Sequence, residues 1–308
     1  MSIQLVVFGD SLSDSGSFGL RFTTQPGVTW AEMVARRLGC EVTPYLSAHL
    51  DNAADGSSTL FTVRGGYNYA QGGARISQPY SLEAASDSVF PWSTAKQIDA
   101  FLQTHGAFSE DQTMALFAGA NDVTYRYDRA IDPALAESLR ADVEPNSALL
   151  QDELDRLSEA AQHAVQLVER MREAGARRIL LFEVYDLALA PWFDSSASRR
   201  YISTLSSSFN STLRHSVQNL GSYVELVHLA SAVDVWANQP ESYGLEFGRG
   251  ADACRTRGEN FCSVDDQVSA TAHHDYLFAG SVHFTTAGHR LIAEYVYRHH
   301  LRNSTNQQ

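Results

Sequence analysis

Four short stretches hold groups able to work on a carbonyl carbon: FGDSLSDSG (8–16), NYAQGGAR (68–75), AGAND (118–122) and SVHFTTAGH (281–289). In the first, glycines let the chain turn sharply and leave Ser11 able to project its hydroxyl. A serine hydroxyl is a weak nucleophile until a neighbouring base accepts its proton. His283 sits where a loop enters a helix, a common place to display such an imidazole. Gly72 and Gly73 stand together, and paired glycines bring backbone N–H groups close to a ligand, as an oxyanion hole requires. Asn121 could add a side-chain amide to the same hole. Each stretch also has a plainer reading: a Gly-Asp-Ser turn capping a helix, a glycine turn, an Asn-Asp turn.

The elements around these stretches alternate between apolar strands and amphipathic helices. SIQLVVF (2–8), TMALFAG (113–119), RRILLFEV (177–184) and SYVELVHL (222–229) read as buried strands. Helical spacing marks 29–38, 94–104, 147–174, 199–217 and a final helix from about 286. Thr29 with Glu32 forms a capping box, and Gly39 ends that helix. Such alternation predicts an α/β protein with a parallel sheet covered on both faces, where ligands bind beyond the carboxyl ends of the strands. No Pro- or Gly-rich linker divides the chain. The expectation is one domain over 1–302 and a frayed tail over 303–308, with long insertions at 40–67 and 236–275.

Composition excludes several classes. The chain of 308 residues is 44% hydrophobic and 19% charged, enough to bury a core. Its net charge of −13 argues against nucleic acid and anionic membrane surfaces. No apolar run approaches the ~18 residues of a membrane span. No P-loop, dinucleotide fingerprint or zinc motif implies a cofactor. His273-His274 has no third ligand at metal spacing and reads as a surface loop; His289 belongs to the last helix, and His299-His300 end it. Cys254 and Cys262 bracket a polar loop easily closed by a disulfide, which favours an oxidising compartment; Cys40 reads as a small buried hydrophobe. The expected location is secreted, periplasmic or cell-surface, as a mature form without its leader, with the cytoplasm as the alternative.

Taken in order, the four stretches resemble the GDSL, or SGNH, hydrolase family of esterases and lipases. The likeness runs from residue 3 to about 300 and includes PWSTAKQIDAFL (91–102) and VYDLALAP (184–191). Within the family it is similar to secreted bacterial lipolytic enzymes of the phospholipase–haemolysin and autotransporter-esterase type, whose small cysteine-bounded loop is echoed by Cys254 to Cys262. The resemblance implies a three-layer α/β/α sandwich. It implies Ser11 as nucleophile and His283 as general base. Its oxyanion donors would be the N–H of Ser11, the N–H of Gly73 rather than Gly72, and the Asn121 amide. Asp10 and Asp14, beside Ser11, read as ties for the turn.

One departure matters. The family's last block normally reads Asp-x-x-His, and here Gly280 stands three residues before His283. A triad carboxylate fixes the imidazole's tautomer and stabilises the imidazolium. A backbone carbonyl, a water or a bound anion in the space beside Gly280 would leave a working dyad. Asp265, Asp266 and Asp275 are the nearest carboxylates in sequence and read as solvated loop charges. The remaining account is a crippled hydrolase, by nature or by an introduced substitution. Since Ser11, Gly73, Asn121 and His283 are all retained, the expectation is reduced but real esterase activity on lipid, phospholipid or short-chain acyl esters. Trp30, Trp92, Trp192, Phe193, Phe90, Tyr125 and Tyr127 would supply an apolar acyl slot. A carbohydrate O-acetylesterase, or a ligand-binding protein that keeps the pocket, are the alternatives.

Overall fold

Leu5, Val6, Val7 and Phe8 run without polar alternation, as a strand covered on both faces must, and they form β1 (Gln4–Gly9). A computed structural model describes residues 3–49, 60–79, 91–128 and 131–302. In chain order β1 is followed by α1 (Trp30–Leu38), β2 (Leu46–His49), β3 (Leu60–Val63), α2 (Thr94–His105), β4 (Gln112–Phe117), α3 (Ala120–Asp128), α4 (Pro133–Arg140) and α5 (Ser147–Glu173). Then come β5 (Ile179–Phe182), α6 (Ser196–Val217), β6 (Val224–Val227), α7 (Leu229–Asn238), β7 (Phe247–Asp252), α8 (Ala272–Asp275), β8 (Tyr276–Ala279), β9 (His283–Phe284) and α9 (Thr286–Val296).

The central sheet has the order β1-β4-β5-β6, every pair parallel. In register, Phe8 lies beside Leu116, so Phe8 and Phe117 point to opposite faces. Phe8 meets Phe101 of α2 edge-on at 6.0 Å. On the other face Phe117 stacks on Phe182 at 4.8 Å, and Trp30 of α1 covers Phe182 at 4.8 Å. Arg170 of α5 pairs with Asp99 of α2, and α5 packs along α6, which assigns those helices to the Phe8 face. Helix α9 lies against α1 on the opposite face. The result is the expected three-layer α/β/α sandwich.

Local signals placed the main helices well. The Glu32 carboxylate accepts from the N–H and the hydroxyl of Thr29, and Gly39 closes α1 in the left-handed conformation. Two regions read as insertions carry strands of their own. Residues 40–67 contain the antiparallel pair β2-β3, and 236–275 contribute β7 to a small sheet with β8 and β9. These strands hold two to six residues, too few for periodicity to register. The tail over 303–308 lies outside the described residues. No helix among the described residues is long and apolar enough to cross a membrane.

Candidate active site

Ser11 stands two residues beyond β1, at the carboxyl edge of the sheet. Residues 67–71 run alongside that strand: Val7 N–H donates to Tyr67 O at 2.9 Å, Tyr69 N–H to Val7 O at 2.8 Å and Gln71 N–H to Gly9 O at 3.1 Å. This pairing carries the Gly72-Gly73 loop to the serine. Gln97 of α2 fixes the turn by bonding both the N–H and the carbonyl of Gly9, each at 2.9 Å. Asp10 accepts from Leu12 N–H at 3.0 Å. Asp14 accepts from the N–H groups of Gly16, Ser17 and Gly72. Both acids therefore tie the turn, as the sequence suggests.

The pattern of used and unused donors is informative. The N–H groups of Asp10, Leu12, Gly72 and Ala74 are all engaged. Among the described residues, those of Ser11 and Gly73 are not. Gly73 adopts φ +84°, a conformation that favours glycine. Asn121, in the first turn of α3, donates one amide hydrogen to Ala74 O at 3.0 Å and keeps the other.

His283 comes from the far end of the chain, with its Nε2 at 2.9 Å from Ser11 Oγ. Its backbone is clamped from both sides. Tyr185 Oη donates to Val282 O, Thr23 Oγ1 donates to Phe284 O at 2.8 Å, and His283 pairs with Ala279 across β8-β9. The Phe22 ring lies 5.2 Å from the imidazole. Burial holds the His283 pKa down to about 4, and its Nδ1 has no hydrogen-bond partner among the described residues. His289 is fully buried as well, its Nδ1 accepting from Trp30 N–H at 3.3 Å, so it joins α9 to α1. Asp10 is fully buried, and desolvation, with the nearby charges of Asp122 and Asp14, raises its pKa to about 7.

The space beside Gly280 is filled. The glycine has φ +73°, and a Cβ built on it would lie 1.7 Å from Glu259 O. Glu259 belongs to the loop closed by the Cys254–Cys262 disulfide. Asp252, which sequence reading did not single out, fastens that loop by accepting from the N–H groups of Cys254 at 2.9 Å and Gly280 at 2.7 Å. Asp266 bonds Thr256 instead, and neither it nor Asp265 or Asp275 makes a hydrogen bond to His283. Cys254, Cys262 and Asp266 cluster closely enough to suggest a metal, but the two sulfurs are bonded to each other. Cys40 is half-buried, and burial raises its thiol pKa away from the nucleophilic range.

Ser11, Gly73, Asn121 and His283 all face one cavity of about 650 Å³. Its apolar walls include Leu12, Phe18, Phe22, Trp192, Phe261 and Val282. Of the aromatics singled out from sequence, Trp192 alone lines it among the described residues. Trp30 is core, Tyr125 carries the Arg75 guanidinium, Tyr127 and Phe193 pack on each other, and Trp92 meets Phe61. Phe90 lies outside the described residues. Phe18, Phe22 and Phe261 were missed because each follows a loop whose path depends on tertiary contacts. Tyr185 had a visible signal, lying in the VYDLALAP stretch.

Comparison with known proteins adds three findings. The profile of the GDSL-like lipase/acylhydrolase family matches residues 5–296. Esterase EstA of Pseudomonas aeruginosa is 26% identical over 315 residues, covering 95% of this chain and 46% of that protein. A protein of Pseudomonas putida described as an uncharacterized protein in the trpE-trpG intergenic region is 26% identical over 316 residues, covering 95% of this chain and 48% of its own length. The chain thus spans about half the length of these curated relatives.

Proposed function

The chain belongs to the GDSL-like lipase/acylhydrolase family, and from that premise we propose that it hydrolyses carboxylic esters through Ser11 and His283. The observation that carries the reading is the 2.9 Å contact between Ser11 Oγ and His283 Nε2 at the wall of an apolar cavity. In that arrangement the hydroxyl donates to Nε2 and the oxygen attacks the acyl carbon as the imidazole takes the proton. The uncommitted N–H groups of Ser11 and Gly73, with the free amide hydrogen of Asn121, receive the oxyanion. Collapse releases the alcohol with the proton returned by His283, and water then hydrolyses the acyl-enzyme by the same route.

The imidazolium must form without a carboxylate at its Nδ1. The clamps on Val282 and Phe284 would fix the ring's position, though they leave its charge uncompensated. We therefore read this as a dyad of reduced activity, in which a water or small anion admitted to Nδ1 serves as acceptor. Apolar walls and a volume of about 650 Å³ favour acyl groups longer than acetyl. The disulfide suits a protein working in an oxidising compartment, at the cell surface or outside it.

Labelling with a fluorophosphonate, alongside turnover of p-nitrophenyl esters from acetate to decanoate, tests the reading. Ser11 should carry the label, and Ser11→Ala should lose both label and turnover. A wild-type protein that neither labels nor turns over any ester in the series would sink the proposal in favour of a ligand-binding role.

A further inference from the structure

The two oxyanion donors other than the Ser11 N–H belong to different elements, Gly73 to the 71–76 loop and Asn121 to α3. Donors that act together on a transition state must hold their mutual geometry within about 0.5 Å. Asp122 lies next to Asn121 and is 2% exposed. Its Oδ2 accepts from Ile76 N–H at 2.9 Å, and its Oδ1 from Arg75 Nε at 3.1 Å. The Arg75 guanidinium sits 4.0 Å over the Tyr125 ring of α3, so the pair grips both elements. The loop is further tied by Asp14 to Gly72 N–H and by Asn121 to Ala74 O. The Asn121 tie uses one hydrogen of the donor amide itself, whereas Asp122 adds two bonds one and two residues further along the loop, at Arg75 and Ile76, from the residue that adjoins the Asn121 backbone.

We propose that Asp122 is the positioning residue of the oxyanion hole, one buried carboxylate that fixes the Gly73 N–H relative to the Asn121 amide. The inference rests on the esterase reading above. Its consequence is selective: the transition state loses stabilisation while the bound ester, whose carbonyl carries little charge, does not. A residue that merely supported the fold would change binding and turnover together.

The test compares wild type, Asp122→Ala, Asp122→Asn and Ser11→Ala with a p-nitrophenyl ester and with an alkyl trifluoromethyl ketone, whose adduct with Ser11 carries the oxyanion. Asp122→Ala should lower kcat roughly 10- to 100-fold, below the loss of a whole donor, with KM within about twofold. Inhibition by the ketone should weaken by the same factor. Asn offers one acceptor for two donors, so Asp122→Asn should fall between Ala and wild type. A folded Asp122→Ala with wild-type kcat, or one whose KM rises with ketone inhibition unchanged, overturns the proposal. Should the alanine variant fail to fold, Asp122→Asn decides: wild-type kcat and ketone affinity overturn it. An inactive wild type defeats the esterase reading and this inference together, whereas an active wild type with Asp122 variants of unchanged kcat defeats this inference alone.

Discussion

His283 illustrates how one buried imidazole can be held by its main chain rather than by a side-chain acid. The proposed mechanism uses its neutral form, and burial keeps that form down to about pH 4. We expect the acid limb of kcat/KM to lie near pH 4, well below the ordinary imidazole range; an inflection between 6 and 7 that survives Asp10→Asn would contradict it. Asp10 works with the opposite sign. Its folded pKa of about 7 exceeds the unfolded value, so its contribution to stability is present at low pH and lost as pH rises from 3.8 through 7. Urea titrations should show Asp10→Asn flattening that decline. At Gly280 the family's usual acid cannot simply be restored. A Cβ 1.7 Å from Glu259 O, at φ +73°, forces the cross-linked loop to move. Gly280→Asp should therefore lower both Tm and kcat/KM, and a gain in turnover would show that the loop yields.

The 254–262 loop is the element on which the site's shape turns, since Asn260 and Phe261 line the cavity and Glu259 fills the space beside Gly280. Closing so short a loop contributes about 2–3 kcal/mol by chain entropy. Cys254→Ser with Cys262→Ser should lower Tm and raise KM, and thermal melts with ester kinetics would check both. Much of the scaffold was legible in the sequence because its signals are local. Thr29 and Glu32 announced α1, the unbroken apolar runs announced β1, β4 and β5, and the four blocks announced which side chains converge. What stayed hidden is tertiary. Nothing near Gly280 in sequence predicts contact with Glu259, and β9 has two residues. Asp122 reads as half of an Asn-Asp turn until Arg75 and Ile76, 47 and 46 residues away, are seen to close on it.

At the scale of the whole molecule the net charge of −13 surrounds a cavity with no Lys or Arg among its described lining residues. Long-range repulsion should disfavour anionic esters. kcat/KM for a carboxylated ester should rise with added salt, as screening weakens the field, while that of a neutral analogue stays flat. The proposed nucleophile and base, Ser11 and His283, stand 272 positions apart in sequence. At typical rates of synthesis the serine would leave the ribosome roughly 15–55 s before its imidazole partner. Nascent chains would thus expose a hydroxyl with no proton acceptor, harmless to the esters around it, until the final helix docks. Hydrolysis would begin only once the chain through α9 has emerged and docked.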